Sequence, residues 1–190
     1  STFREEALLD PETFGVQIRR VATVDGGFYA VGSTIAEPAQ VFVPSLLAGA
    51  TYHLQGISLQ PEEEDGELID LHLWSATEAV VVGFDNTHGE PLVYALNGDA
   101  HDRASWTRVD VGLGYDAGLR ALSVSGDVVV AVGERIPTGL GGVILKSEDR
   151  GLTWRDLTPE GVGPLSKVKL FESGELLVAG SGGEGWLYRP

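Results

Sequence analysis

Apolar and polar positions along this chain fall into short runs of strand length punctuated by glycine, and nowhere into a helical period. Four of the runs are apolar without alternation and each closes on glycine: FYAVG at Gly32, AVVVG at Gly83, VVVAVG at Gly133 and LLVAG at Gly180. A strand that is apolar on both faces is one buried between two sheets. The runs return with a period of about 50 residues, too long for a helical-pair repeat and suited to four strands per unit. The same order recurs around each run. A first strand precedes it (VQIRRVATV, ELIDLHLWS, LRALSVS, LSKVKLFE), and a tight turn joins the two. A variable Gly/Pro loop then leads to a third strand (AQVFVPS, PLVYALN, GVILKS, GWLYR), and three units add a fourth (TYHLQGIS, SWTRVDV, TWRDLT). The pattern predicts an all-β repeat of four-stranded antiparallel sheets.

Between the third and fourth strands of the third unit lies SEDRGLTW, residues 147–154. A short Asp side chain accepts hydrogen bonds from its own turn, and Gly supplies the left-handed backbone that a hairpin needs. Thr and Trp then open a strand whose aromatic packs inward. The first unit carries Ser45, Gly49, Thr51 and Tyr52 in the matching place, with Leu47 for the Asp. The second keeps Asp99, Ser105 and Trp106 around an insertion. Copies that decay differently at one hairpin position read as a structural turn.

Ser147, Asp149, Gly151, Thr153 and Trp154 together resemble the Asp-box (BNR) repeat of sialidases, sortilin-type receptors and the photosystem II assembly factor family. That resemblance implies a β-propeller with the box on the outer part of a blade. It gives one domain, 1–190, with blades at about 15–59, 67–111, 118–158 and 164–190, each repeat about 48 residues long. The chain stops on a third strand and opens on Thr2-Phe3, which aligns with Thr153-Trp154, so residues 1–10 are expected to complete the last blade. A self-closed four-bladed monomer, a homodimer sharing one eight-bladed ring and a piece of a larger propeller all satisfy this reading.

The acidic balance, net −15, repels phosphate and argues against nucleic acid. With no cysteine there is neither disulfide nor thiolate metal site. No apolar run reaches the length of a membrane span, and Ser1 reads as a processed or trimmed end. In a propeller the loops from second to third and from fourth to first strands share one face, where ligands most often bind. There the sequence places Glu37, Asp85, His88, Glu90, Tyr115, Asp116, Glu134, Arg135 and Glu184. The spacing of their carboxylates matches no calcium loop, so no metal and no cofactor are expected. Arg135-Ile136-Pro137 resembles the sialidase Arg-Ile-Pro motif, but it sits in a loop of the third unit instead of on an early strand. No nucleophile elbow, zinc-binding His pair or phosphate loop occurs. The expected function is non-enzymatic recognition of a protein or carbohydrate through the loop face. A glycan-acting hydrolase and a structural subunit completing a larger propeller are the alternatives. The resemblance leans towards a secreted or periplasmic location.

Overall fold

The computed structural model describes residues 17–33, 39–47, 51–60, 65–137, 141–180 and 182–189. Among the described residues fifteen strands make four antiparallel sheets, each built from consecutive strands in chain order. The first holds β1 (Gln17–Val24), β2 (Gly27–Ser33), β3 (Gln40–Leu47) and β4 (Thr51–Ser58). The second holds β5 (Gly66–Ser75), β6 (Glu78–Asp85), β7 (Glu90–Asn97) and β8 (Trp106–Arg108). The third holds β9 (Ala117–Ser125), β10 (Val128–Arg135), β11 (Gly142–Ser147) and β12 (Arg155–Asp156). The fourth has β13 (Leu165–Leu170), β14 (Leu176–Gly180) and β15 (Gly185–Tyr188). The residues expected to add its fourth strand, 1–10, lie outside the described residues.

The second and third sheets bury both faces against their neighbours, which is why the valine-rich β6 and β10 do not alternate. On β6, Ala79 and Val81 enter the core shared with the first sheet, beside Val41, Val43 and Tyr94. Val80 and Val82 point the other way, into the core with Leu119, Val129 and Leu145. On β10 the same division sends Val129 and Ala131 back to the second sheet and Val130 and Val132 forward to Leu165 and Val178. Each such side chain removed from water contributes about 1.5–3 kcal/mol, so β6 and β10 clamp the four sheets into one body.

The glycine that ends three of these runs has a steric cause. A Cβ at Gly32, Gly83 or Gly133 would stand 1.8, 1.9 and 1.9 Å from the carbonyl oxygens of Gln17, Glu67 and Gly118. The close approach comes from a bulge in the first strand of the sheet, where the register skips Arg19, Ile69 and Arg120. The fourth sheet skips Ser166 in the same way. A bulge inserts one residue outside the ladder and re-aims its side chain. The first strands of all four sheets meet at a cleft of about 230 Å³ walled by Arg19, Arg20, Ile69, Asp70, Arg120 and Lys167.

The turn 147–154 is held by its own side chains. Ser147 Oγ donates to Asp149 Oδ1 at 2.7 Å and accepts from the Gly151 N–H at 2.8 Å. Asp149 also accepts from the Thr153 N–H at 2.8 Å and from Thr153 Oγ1 at 2.6 Å. The turn reaches the preceding sheet too. Arg150 bonds Glu78 as well as Asp127, and Trp154 packs against the core between the second and third sheets. In the first sheet the expected match shifts by two residues. The row Val81–Tyr94–Arg108 corresponds to Ala30–Phe42–Gly56, so the station of Trp106 is held by Leu54 and not by Tyr52. The cause is a longer hairpin, because the β3–β4 ladder pairs without interruption to Leu47 and Thr51.

Candidate functional site

The connections expected to share one face are hydrogen-bonded to one another. The Asn86 N–H donates to the Asp65 carbonyl at 2.6 Å, Ala117 to Gly89 at 2.9 Å, Ile136 to Asp116 at 2.9 Å and Gly142 to Val162 at 2.7 Å. Each fourth-to-first connection therefore runs across a second-to-third loop and fixes it, forming a rim. On that rim opens a cleft of about 670 Å³, where residues 108–116 arch away from the start of β7. Its apolar floor includes Val109, Val111 and Leu113; its edge carries Glu90, Arg108, Asp110, Tyr115 and Asp116. Glu90 and Arg108 close one side with a 2.8 Å ion pair. Asp110 caps its own turn by accepting from the Gly112 N–H at 2.8 Å.

The expected site residues separate into groups. Glu90, Tyr115 and Asp116 line the cleft together. Arg135 lies behind it with its guanidinium 4.2 Å over the Tyr115 ring. The Tyr115 hydroxyl donates to Asp156 Oδ2 at 2.6 Å. Burial pushes the Tyr115 hydroxyl above its ordinary pKa, and the Asp156 carboxylate adds to the effect. A tyrosine that holds its proton more tightly than usual is the reverse of an activated nucleophile.

Asp85 is buried completely and spends its carboxylate within its own turn. Oδ1 accepts from the Thr87 N–H at 2.7 Å and the His88 N–H at 3.2 Å, and Oδ2 meets His88 Nδ1 at 2.9 Å. Burial raises its pKa, but the bonds from His88 and Thr87 outweigh that and leave it below the ordinary carboxylate range. Asp85 and His88 thus form a rim brace, with no carboxylate facing outward. Glu134 is likewise turned inward, where Oε1 accepts from Arg120 at 2.8 and 3.1 Å. The Arg120 guanidinium stacks 4.3 Å over Phe84. Glu184 is exposed on the β14–β15 turn and takes no part in the cleft. Glu37 lies outside the described residues. Among the described residues no cluster of three or more His, Asp or Glu side chains is placed to hold a metal ion.

Two sets escaped the sequence reading. Arg108, Val109, Val111 and Leu113 build the cleft wall from the tail of a fourth strand, whose length the pattern leaves undefined. At the cleft between the first strands, Arg19 pairs with Glu67, and Arg20 approaches Asp70 at 3.3 Å. Asp70 is buried, which raises its pKa against the pull of the Leu122 and Leu71 N–H groups, Arg20 and Lys167. The only signal for these residues was the charge within the first strands, since the bulge that re-aims them leaves no mark in the sequence.

No family model matches the chain, and no curated protein does. Solved structures do. YCF48 bound to D1 peptide superimposes with a TM-score of 0.60 at 15% identity, over 92% of this chain and 50% of that one. The chain thus has a propeller-like all-β fold and spans about half the length of that structure.

Proposed function

We propose that this chain is a non-enzymatic binding scaffold that recognises a protein partner through the rim cleft. One observation carries the reading: an apolar floor bordered by charged groups, of which Glu90 and Arg108 pair with one another, on connections hydrogen-bonded to neighbouring loops. Such a surface offers shape and a few fixed hydrogen-bonding groups, which is what recognition requires. Around it, Glu134, Asp85 and Asp156 are each committed to structural bonds. The solved structure of YCF48 carries a bound peptide, which supports a protein partner as the class to test first.

A photo-cross-linking amino acid at Gly114, an exposed cleft residue with open space around it, should trap a discrete protein adduct in extract of the source cells. The same probe at Leu152, exposed and off the rim, should not. Equal labelling at both positions, or none, would overturn the assignment. Turnover of fluorogenic glycosides that disappears in Asp116→Asn would overturn the non-enzymatic reading.

A further inference from the structure

The edge of the rim cleft carries more negative than positive charge. Three carboxylates stand on it, Glu90, Asp110 and Asp116, against the single guanidinium of Arg108. Glu90 already takes Arg108 at 2.8 Å. Asp110 spends Oδ1 on its own turn, and its Oδ2 makes no bond among the described residues. Asp116 is exposed, and its carboxylate has no hydrogen bond or ion pair among the described residues. It stands beside the turn that leads into β7, where a Cβ on Gly89 would come within 3.2 Å of Oδ2.

The backbone at this edge is one-sided. β8 pairs with β7 as far as Tyr94↔Arg108, and the Val109 N–H adds a last bond to the Val93 carbonyl at 2.8 Å. Residues 110–116 then leave the sheet, so no described strand covers the start of β7 on that side. Groups facing one edge of a strand recur every second residue, so the next to face the cleft belong to Pro91. Proline has no N–H, and the edge presents a carbonyl alone. Val109, Val111 and Leu113 lie beneath. The cleft therefore combines a backbone acceptor, an apolar floor and two carboxylates that no described cation balances.

Resting on the rim-binding reading above, we propose that the cleft takes an extended segment of a partner protein in which Lys or Arg stands beside a large apolar residue. The apolar side chain covers the floor, the cation meets Asp116 and Asp110, and a backbone N–H of the segment bonds the Pro91 carbonyl. Charge complementarity fixes the register of such a complex and speeds encounter, and the net charge of −15 adds to the attraction. The same charge disfavours occupants from the chain itself. Residues 1–16 set Arg4 against Glu5, Glu6, Asp10 and Glu12, and a second copy brings a like net charge of −15.

The probe comes from a random-peptide phage library panned on the intact chain. The most enriched peptide is synthesised with fluorescein and titrated by anisotropy. Enrichment of Lys or Arg next to Leu, Ile, Phe or Trp is expected. Asp116→Asn, which breaks no side-chain bond among the described residues, should raise the Kd about fivefold. Leu113→Ala should raise it about tenfold, and Leu152→Ala, exposed and off the rim, should leave it unchanged. Added salt should weaken binding to the wild type more than to Asp116→Asn. A neutral or acidic peptide that still needs Leu113 would overturn the proposal and leave the rim-binding reading standing. No enrichment, or a peptide indifferent to both Leu113 and Asp116, would also overturn it, and the Gly114 cross-link would then judge the rim reading by itself. Binding that appears only with Arg4→Ala would overturn it in favour of the chain's own first residues. A dimer by light scattering that Leu113→Ala dissociates would overturn it in favour of a second copy.

Discussion

Removing the Asp149 carboxylate tests whether the 147–154 turn is a structural fastener. Asp149→Ala deletes an acceptor that serves Ser147 Oγ, the Thr153 N–H and Thr153 Oγ1. A hydrogen bond to a charged group contributes about 1.5–3 kcal/mol when sheltered. Thr153 is exposed, so water replaces part of what is lost and its two bonds count for less. Ser147 is buried, and its hydroxyl keeps the Gly151 N–H as donor but loses its acceptor. The sum is about 2–3 kcal/mol, or a fall in Tm of about 4–10 °C for a chain of this size. Urea unfolding followed by circular dichroism should show a lower midpoint at unchanged m-value. The pH dependence gives a second reading. Burial works to raise the Asp149 pKa, but the Thr153 and Ser147 bonds outweigh it and hold it below the ordinary value of 3.8. Stability from a depressed carboxylate is full above the unfolded pKa and is lost as pH falls through the folded one. The gap between wild type and Asp149→Ala should therefore hold from neutrality to about pH 5 and narrow below pH 4. A loss under about 0.5 kcal/mol, the range of an ordinary surface substitution, would refute the reasoning. So would a gap that does not narrow in acid.

Gly133→Ala drives a Cβ to within 1.9 Å of the Gly118 carbonyl oxygen and should cost upwards of about 3 kcal/mol or prevent folding. Gly114→Ala, with open space around it, should stay within about 0.5 kcal/mol in the same thermal melts. Trp106→Ala empties a site only 2% exposed between the first two sheets and should lower stability by about 3–5 kcal/mol in urea titrations. Asp70 has its pKa raised by burial, so its contribution is present below 3.8 and lost as pH rises through the folded value. Melts of Asp70→Asn should lack that decline, and equal pH slopes for variant and wild type would refute the assignment.

What the sequence revealed and what it hid divide along physical lines. Burial on both faces forces an unbroken apolar run, so the stations of β6 and β10 were legible from Val80 to Val82 and from Val128 to Val132. The loop rim followed from counting strands, and its hydrogen bonds join the connections expected to meet there. The roles of individual rim residues did not follow. Asp85 and Glu90 look alike in a sequence, but one is sealed inside its turn and the other edges a cleft. That difference rests on a few dihedral angles of residues 85–90. Equally hidden was the station of Leu54, because β-pairing tolerates a longer hairpin without changing the alternation that announces it.

The skipped residue in each first strand has a consequence for how such a frame diversifies. Arg19, Ile69, Arg120 and Ser166 occupy equivalent places, yet one is aliphatic, one a hydroxyl and two are cations. A position outside the ladder owes nothing to sheet pairing, and the neighbouring glycine carries the steric cost of making room for it. The frame therefore behaves as a socket with interchangeable pins: three substitutions, at Arg19, Ile69 and Arg120, would rewrite the polarity of the cleft between the first strands and leave every strand in register.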